Sequence, residues 1–287
     1  MQLSPARLAA DALRLLPRKR ISRALGAIAA TRAPQRFVQR AIDTFVRAYD
    51  VDMEQAVVPS GGYRSFDDFF TRALEPGARP IDPDTKAITS PADGKIEDFG
   101  PVDLASSVTV KGKPYRVGDL LGDVGLGAAY QGGNYFIVYL SPRDYHRVHT
   151  PVAGQVSAAR HVPGTLFPVN SIGTDFVPQV FARNERVVTL QESPEHGQVV
   201  TIMVGAIGVG HISMSFDDIV TNKGRESGLK QYGKRGAQLE RGAELGVFHL
   251  GSTAVVFLPP GEALEWCVKP GEMVRMGQRV AVPRRLR

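Results

Sequence analysis

Two histidines three residues apart, His146 and His149 in Ser141-Pro-Arg-Asp-Tyr-His-Arg-Val-His-Thr150, are the first candidates for chemistry. Imidazole is the side chain whose ordinary pKa lies nearest neutrality, so such a pair suits proton transfer or metal ligation. A zinc site needs further ligands at a recognisable spacing. The chain has one cysteine, Cys267, and no HExxH pattern. Acid–base work is the better reading, and no metal is expected. Cys267, beside Trp266, reads as a buried small hydrophobe rather than a nucleophile.

A nucleophile is offered by Ser252 in Val247-Phe-His-Leu-Gly-Ser-Thr-Ala254. Gly251 has backbone freedom that other residues lack and leaves its carbonyl unshielded by a side chain. A serine hydroxyl attacking its own preceding carbonyl gives an ester by N-to-O acyl shift, given a base and something to hold the oxyanion. A tight turn would use the same Gly-Ser pair. Asp93, in Ser90-Pro-Ala-Asp-Gly94, would complete an Asp, His, Ser order of the kind found on unrelated folds. Any chain of this length supplies many such trios, so the trio alone decides little.

The elements that would position these residues fall into two parts, 1–50 and 51–287. Residues 1–47 carry ten basic and two acidic residues, a net +8 within a chain of net +6. Leu3, Leu8, Leu15 and Leu16, then Ile21, Leu25 and Ile28, then Phe37, Val38, Ile42, Phe45, Val46 and Tyr49 mark three short amphipathic helices punctuated by Pro17 and Pro34. A basic amphipathic arm suits an anionic membrane surface. Packing on the body is the competing reading, even for the first two helices and favoured for the third. Nucleic acid is not expected as a partner, because no binding motif accompanies the charge.

Residues 51–88 read as a polar link with one apolar patch, Phe66 to Phe70. Beyond it, Tyr135 to Leu140, Val199 to Val204 and Thr253 to Leu258 are β-branched and aromatic runs bounded by Gly and Pro. The expectation is a mainly β body, a sandwich or barrel, behind an N-terminal helical arm, α+β overall. Three Gly turns, at Pro91–Ile96, Pro151–Val156 and Lys269–Ala281, resemble those of barrel-sandwich hybrids. No run reaches the eighteen or so apolar residues of a membrane span, and no signal-peptide order opens the chain, so a protein neither secreted nor integral is expected.

Leu250-Gly-Ser-Thr253, preceded by Arg241-Gly-Ala-Glu-Leu-Gly-Val-Phe248, resembles the maturation site of bacterial phosphatidylserine decarboxylases. FFTRALEPGARPI (69–81), SPADGKI (90–96), YLSPRDYHRVHTPVAG (139–154) and FPVN (167–170) are similar to that family in the same order. The resemblance implies a self-cleaving triad falling on Asp93, His149 and Ser252. The cut would lie between Gly251 and Ser252, giving a beta chain (1–251) and an alpha chain (252–287). A pyruvoyl group made from Ser252 would then serve as covalent electrophile without pyridoxal phosphate. Phosphatidylserine would bind it as a Schiff base and lose CO2 to give phosphatidylethanolamine. His146 is the candidate for holding the substrate carboxylate or delivering a proton, and Tyr139, Phe167 and Asn170 for lining the head-group site. His161, His196 and His211 are read as ordinary. The family further implies a homodimer of beta/alpha heterodimers, peripheral to the cell membrane on its cytoplasmic side. The alternatives are a pyruvoyl enzyme for another amino acid or lipid head group, and a non-enzymatic β carrier or lipid-binding module.

Overall fold

Strands dominate once the chain leaves its N-terminal helices. The computed structural model describes residues 17–169, 171–208, 211–222, 228–251, 253–261 and 263–284. Ser252, Asn170 and the first expected arm helix lie outside the described residues. The strands that frame the site are β1 (Gly94–Pro101), β2 (Asn134–Tyr139), β3 (Arg147–His149), β4 (Gly154–Val162), β5 (Arg186–Ser193), β6 (Gly197–Val204), β7 (His211–Met214), β8 (Glu244–His249) and β9 (Thr253–Leu258).

The main sheet is antiparallel. Its order is Leu229–Gln231, β4, β5, β6, β9, β2, β1 and Met273–Val274, with Gln238–Leu239 also pairing β4. In β9 every side chain is buried. Ala254, Val256 and Leu258 enter one core with Phe136, Val138 and Phe248, while Val255 and Phe257 enter a second with Tyr135, Ile137 and Ile202. A strand covered on both faces has no polar side to show, which is why Thr253 to Leu258 is a continuous apolar run.

A second sheet, β7-β8-β3, lies over one face and sets His211 opposite His249 and Glu244 opposite His149. Ile212, Met214, Leu245, Phe248 and Val148 are its contribution to the core beneath. The step from β8 to β9 is therefore a change of sheet, and residues 250–252 make it. Two of the look-alike turns share one device. Gly94 opens β1 and Gly154 opens β4, and a Cβ on either would collide with a backbone carbonyl, that of Tyr139 or of Glu192.

Among the described residues three helices precede the strands: α1 (Arg18–Ala29), α2 (Gln35–Tyr49) and α3 (Phe66–Phe70). The apolar patch FDDFF is thus a helix, capped by Ser65, whose hydroxyl accepts the Asp68 N–H at 3.0 Å. Val38 and Ile42 of α2 pack with Tyr63, Phe69 and Phe70, as the packing reading of this helix expects. The second arm helix, α1, behaves differently. It meets the body through Ser22, Ala29 and Arg18, whose Nε donates to Thr165 Oγ1 at 3.0 Å. Its apolar residues Leu25 and Ile28 stay 44% and 69% exposed.

One sequence expectation needs correction. Cys267 is exposed, not buried. Side chains alternate along the Leu264–Trp266 strand and its continuation, so Trp266 and Val268 turn inward and the cysteine between them outward.

Candidate active site

Gly251 lines an apolar cavity of about 980 Å³ together with Leu25 and Ile28 of α1, Phe37 and Phe45 of α2, Tyr139 and Leu250. Leu250 has φ +84°, in the left-handed region. A side chain there costs about 1–3 kcal/mol and persists only where the surroundings impose it. Here they are firm on both sides, since Phe248 and Thr253 are buried. The bond following Gly251 is thus approached by a strained residue at the junction of two sheets.

His146 lies beside Gly251. Its Nδ1–H donates to the Asp144 carbonyl at 2.8 Å, which leaves Nε2 as the lone-pair nitrogen. That nitrogen is buried with no hydrogen-bond partner and lies 3.6 Å from where a Cβ on Gly251 would stand. Burial, reinforced by the Arg72 guanidinium, pushes the imidazole down to about 3, so it is neutral at neutral pH. Phe70 of α3 packs on the ring with centroids 4.1 Å apart. Asp144 is held in turn by the Ser141 N–H at 2.7 Å and the Ser141 hydroxyl at 2.8 Å, and burial raises its carboxyl.

His149 is committed at both nitrogens. Nδ1–H donates to the Gly242 carbonyl at 2.8 Å, and Nε2 accepts from the Tyr145 hydroxyl at 3.1 Å. Burial pushes the Tyr145 phenol up to about 12, so it keeps its proton to donate. The His149 imidazole is lowered, by burial first, and is neutral as well. Its backbone N–H donates to Pro91 O at 2.7 Å, which ties β3 to the turn that carries Asp93.

Asp93 makes no hydrogen bond to His149. Arg79 takes both its oxygens, with Nε at 2.9 and 3.0 Å and a terminal nitrogen at 2.5 Å, and the Met276 N–H adds a bond of 2.8 Å. Asp93 lines a separate polar cavity of about 490 Å³ with Arg72, Arg79, Asp144 and Tyr145. The part expected of it, orienting the imidazole, falls geometrically to the Gly242 carbonyl. The negative charge of Asp93 still acts on His149, opposing the lowering by burial.

The expected head-group residues divide. Tyr139 lines the apolar cavity. Phe167 is 1% exposed in the core, under the Arg18 and Arg183 guanidiniums at 3.8 and 5.2 Å, and its neighbours Pro168 and Val169 line the cavity instead. His161 pairs with Glu185 at 3.0 Å, away from the site. Arg79, Tyr145 and Gly242 escaped the sequence reading. Tyr145 was the accessible one, lying between two candidate residues, whereas Arg79 lies 14 residues before Asp93 with no motif joining them. Among the described residues no cluster of three or more His, Cys, Asp and Glu is placed to hold a metal ion, and no helix is long and apolar enough to cross a membrane.

Comparison with known proteins places the chain in a family. The profile of the phosphatidylserine decarboxylase family matches residues 66–282. The chain is 42% identical over 274 residues to a phosphatidylserine decarboxylase proenzyme of Bordetella avium, covering 94% of this chain and 92% of the relative. It is 43% identical over 276 residues to that of Bordetella pertussis, with the same coverage. Against that of Pseudomonas entomophila the identity is 43% over 277 residues, covering 94% and 95%. The chain belongs to the phosphatidylserine decarboxylase family and is a decarboxylase, a carboxy-lyase.

Proposed function

We propose that this chain is a proenzyme that cuts itself between Gly251 and Ser252 and then converts phosphatidylserine to phosphatidylethanolamine and CO2. The observation that carries the reading is Gly251 itself, in the lining of a lipid-sized apolar cavity, preceded by strained Leu250 and faced by the unpaired Nε2 of His146. The relatives, phosphatidylserine decarboxylase proenzymes by name, support the substrate.

Ser252 Oγ attacks the Gly251 carbonyl carbon, forming an ester as the amide C–N bond breaks. The hydroxyl proton passes through a base to the freed amine. Loss of the Ser252 Cα proton then expels residue 251 as a carboxylate and leaves dehydroalanine. Tautomerisation and addition of one water release ammonia and leave a pyruvoyl group at the start of 252–287. We assign the first proton transfer to His149, neutral and fixed by Gly242, whose Nε2 lone pair takes the proton once the Tyr145 hydroxyl that donates to it turns aside.

The site suits a pyruvoyl group, because a small electrophile beside Gly251 would find the free lone pair of His146 and an apolar cavity. Such a group supplies a ketone that condenses with the substrate amine and accepts the electron pair released with CO2. His146 Nε2, with its lone pair open, accepts a hydrogen bond from the substrate amine as it condenses and guides a proton to the carbon that loses CO2. The cavity holds the proximal acyl chains, with Tyr139 toward the head group. Exposed Leu25, Ile28 and Phe37 at its mouth, among the arginines of α1 and α2, let the enzyme sit on an anionic bilayer as a peripheral protein.

Intact-mass measurement on the purified protein tests the first half. It should find 1–251 and 252–287 as separate species, the second lacking a free amino terminus. Release of CO2 and phosphatidylethanolamine from phosphatidylserine tests the second. A full-length chain with an intact Ser252 would overturn the reading.

A further inference from the structure

His249 lies two residues before Gly251, at the end of β8, and its ring is held from three sides. Nδ1–H donates to the Asp67 carboxylate of α3 at 2.8 and 3.0 Å, and Nε2 accepts from the Ser213 hydroxyl of β7 at 3.0 Å. The third contact is His211, stacked on it with ring centroids 3.7 Å apart and planes at 15°. The connectivity Asp67, His249, Ser213 is that of a hydrolytic triad. Among the described residues, however, neither Ser213 nor His249 lines the larger cavities. What the arrangement does reach is the next residue along the chain.

Leu250, directly after His249, has the left-handed backbone, and its side chain packs on the cluster of Val38, Ile42, Phe69 and Phe70. Helix α3 therefore touches both flanks of the junction. Asp67 grips His249 on one side, and Phe70 packs on His146 on the other. The Arg147 Nε donates to the carbonyl of Thr71, just after α3, at 2.9 Å, which fixes the helix to β3 as well. A strained residue relaxes unless its neighbours are pinned.

We propose that His249 is a positioning residue for self-cleavage: pinned by Asp67 and Ser213, it holds Leu250 in its left-handed conformation and so aims the Gly251 carbonyl. The proposal rests on the self-cleavage reading above. It makes α3, a segment far from the junction in sequence, part of the maturation apparatus.

The test follows conversion of newly synthesised full-length chain to its two fragments in a cell-free translation, for wild type, His249→Ala, His249→Asn, Asp67→Asn and Ser213→Ala. His249→Ala should cut at least about tenfold more slowly. His249→Asn should recover part of the rate, because its amide can still donate to Asp67. Asp67→Asn and Ser213→Ala should each fall between Ala and wild type. If wild type itself stays uncut, the self-cleavage reading fails. If wild type cuts and His249→Ala keeps pace with it, this proposal alone fails. Equal slowing by Ala and Asn would also sink it, since loss of packing rather than of the tether would then explain the defect. Should His249→Ala not fold, Asp67→Asn decides, and a wild-type rate there overturns the proposal.

Discussion

His146 Nε2 stands 3.6 Å from where a Cβ on Gly251 would be, and no hydrogen-bond donor reaches it. His149, three residues on, has both nitrogens engaged. Two neutral imidazoles on one short segment thus differ in what they can still do. One keeps an open lone pair at the junction, and the other is held by a hydrogen bond at each nitrogen.

Removing them should have different consequences. His149→Ala is expected to leave mostly uncut chain, with a rate loss that can reach about 10⁴-fold for a triad base. His146→Ala should mature, at least slowly, and then turn over phosphatidylserine poorly. Gel analysis of the cut fraction, with product release per cut molecule, separates the two steps. The opposite pattern would exchange the roles.

Asp93→Asn should also arrest maturation, with a signature that the geometry dictates. Because Asp93 is tied to Arg79, the substitution leaves a largely buried guanidinium with only neutral partners, Gln55 and the Ala78 carbonyl, and breaking a buried pair by one partner costs up to about 3–5 kcal/mol. Arg79→Gln should reproduce both the uncut chain and the lowered melting temperature. A cutting defect in Asp93→Asn with Arg79→Gln fully normal would mean that Asp93 acts on His149 directly.

Acid should weaken the fold through the same histidines. Both are neutral when folded, with His146 at about 3, while an unfolded histidine takes up its proton near pH 6.5. Below that value the unfolded chain binds more protons, so stability falls as pH falls, by up to about 1.4 kcal/mol per pH unit for each such group, until the folded group titrates too. Denaturant midpoints of the Ser252→Ala chain between pH 7 and 4 check this. A smaller slope in the Ser252→Ala, His146→Gln pair would identify His146 as a source.

The exposed apolar side of α1 makes a prediction about membranes. Leu25→Glu with Ile28→Glu should lower binding to anionic liposomes and slow turnover on bilayers more than on short-chain soluble phosphatidylserine, while leaving maturation intact. Co-sedimentation at low and moderate salt measures the first, because such attachment is reversible and screened by salt. Unchanged sedimentation would mean that the helix serves the body rather than the surface.

The family was legible in the sequence, since the motifs around His146, His149, Gly251 and Ser252 are short and local. So were the long strands, whose apolar runs need only neighbours on both sides. What escaped depends on distant partners. Nothing near Asp93 announces Arg79, and nothing near His249 announces Asp67, because strand pairing and helix docking bring each pair together from 14 and 182 residues apart. Phe167 shows the reverse error. An aromatic in a suggestive motif packs into the apolar core, with two guanidiniums over its ring. For α1, spacing revealed an apolar stripe but not what the stripe would face.

The position of β9 decides what a cut at residue 251 can and cannot do. The strand is hydrogen-bonded to β6 on one side and β2 on the other, with both faces buried. Farther along 252–287, Met273–Val274 bonds to β1 and Arg279–Pro283 to Ile88–Thr89. The smaller piece is therefore woven through the larger one rather than appended to it. Severing the peptide link changes the covalent graph of the molecule and leaves its topology alone. Dilution or gel filtration should not part the pieces, and only unfolding should. A denatured mixture would have to rebuild its central strand from a second molecule, at a rate set by concentration, where the uncut chain had that strand tethered in place.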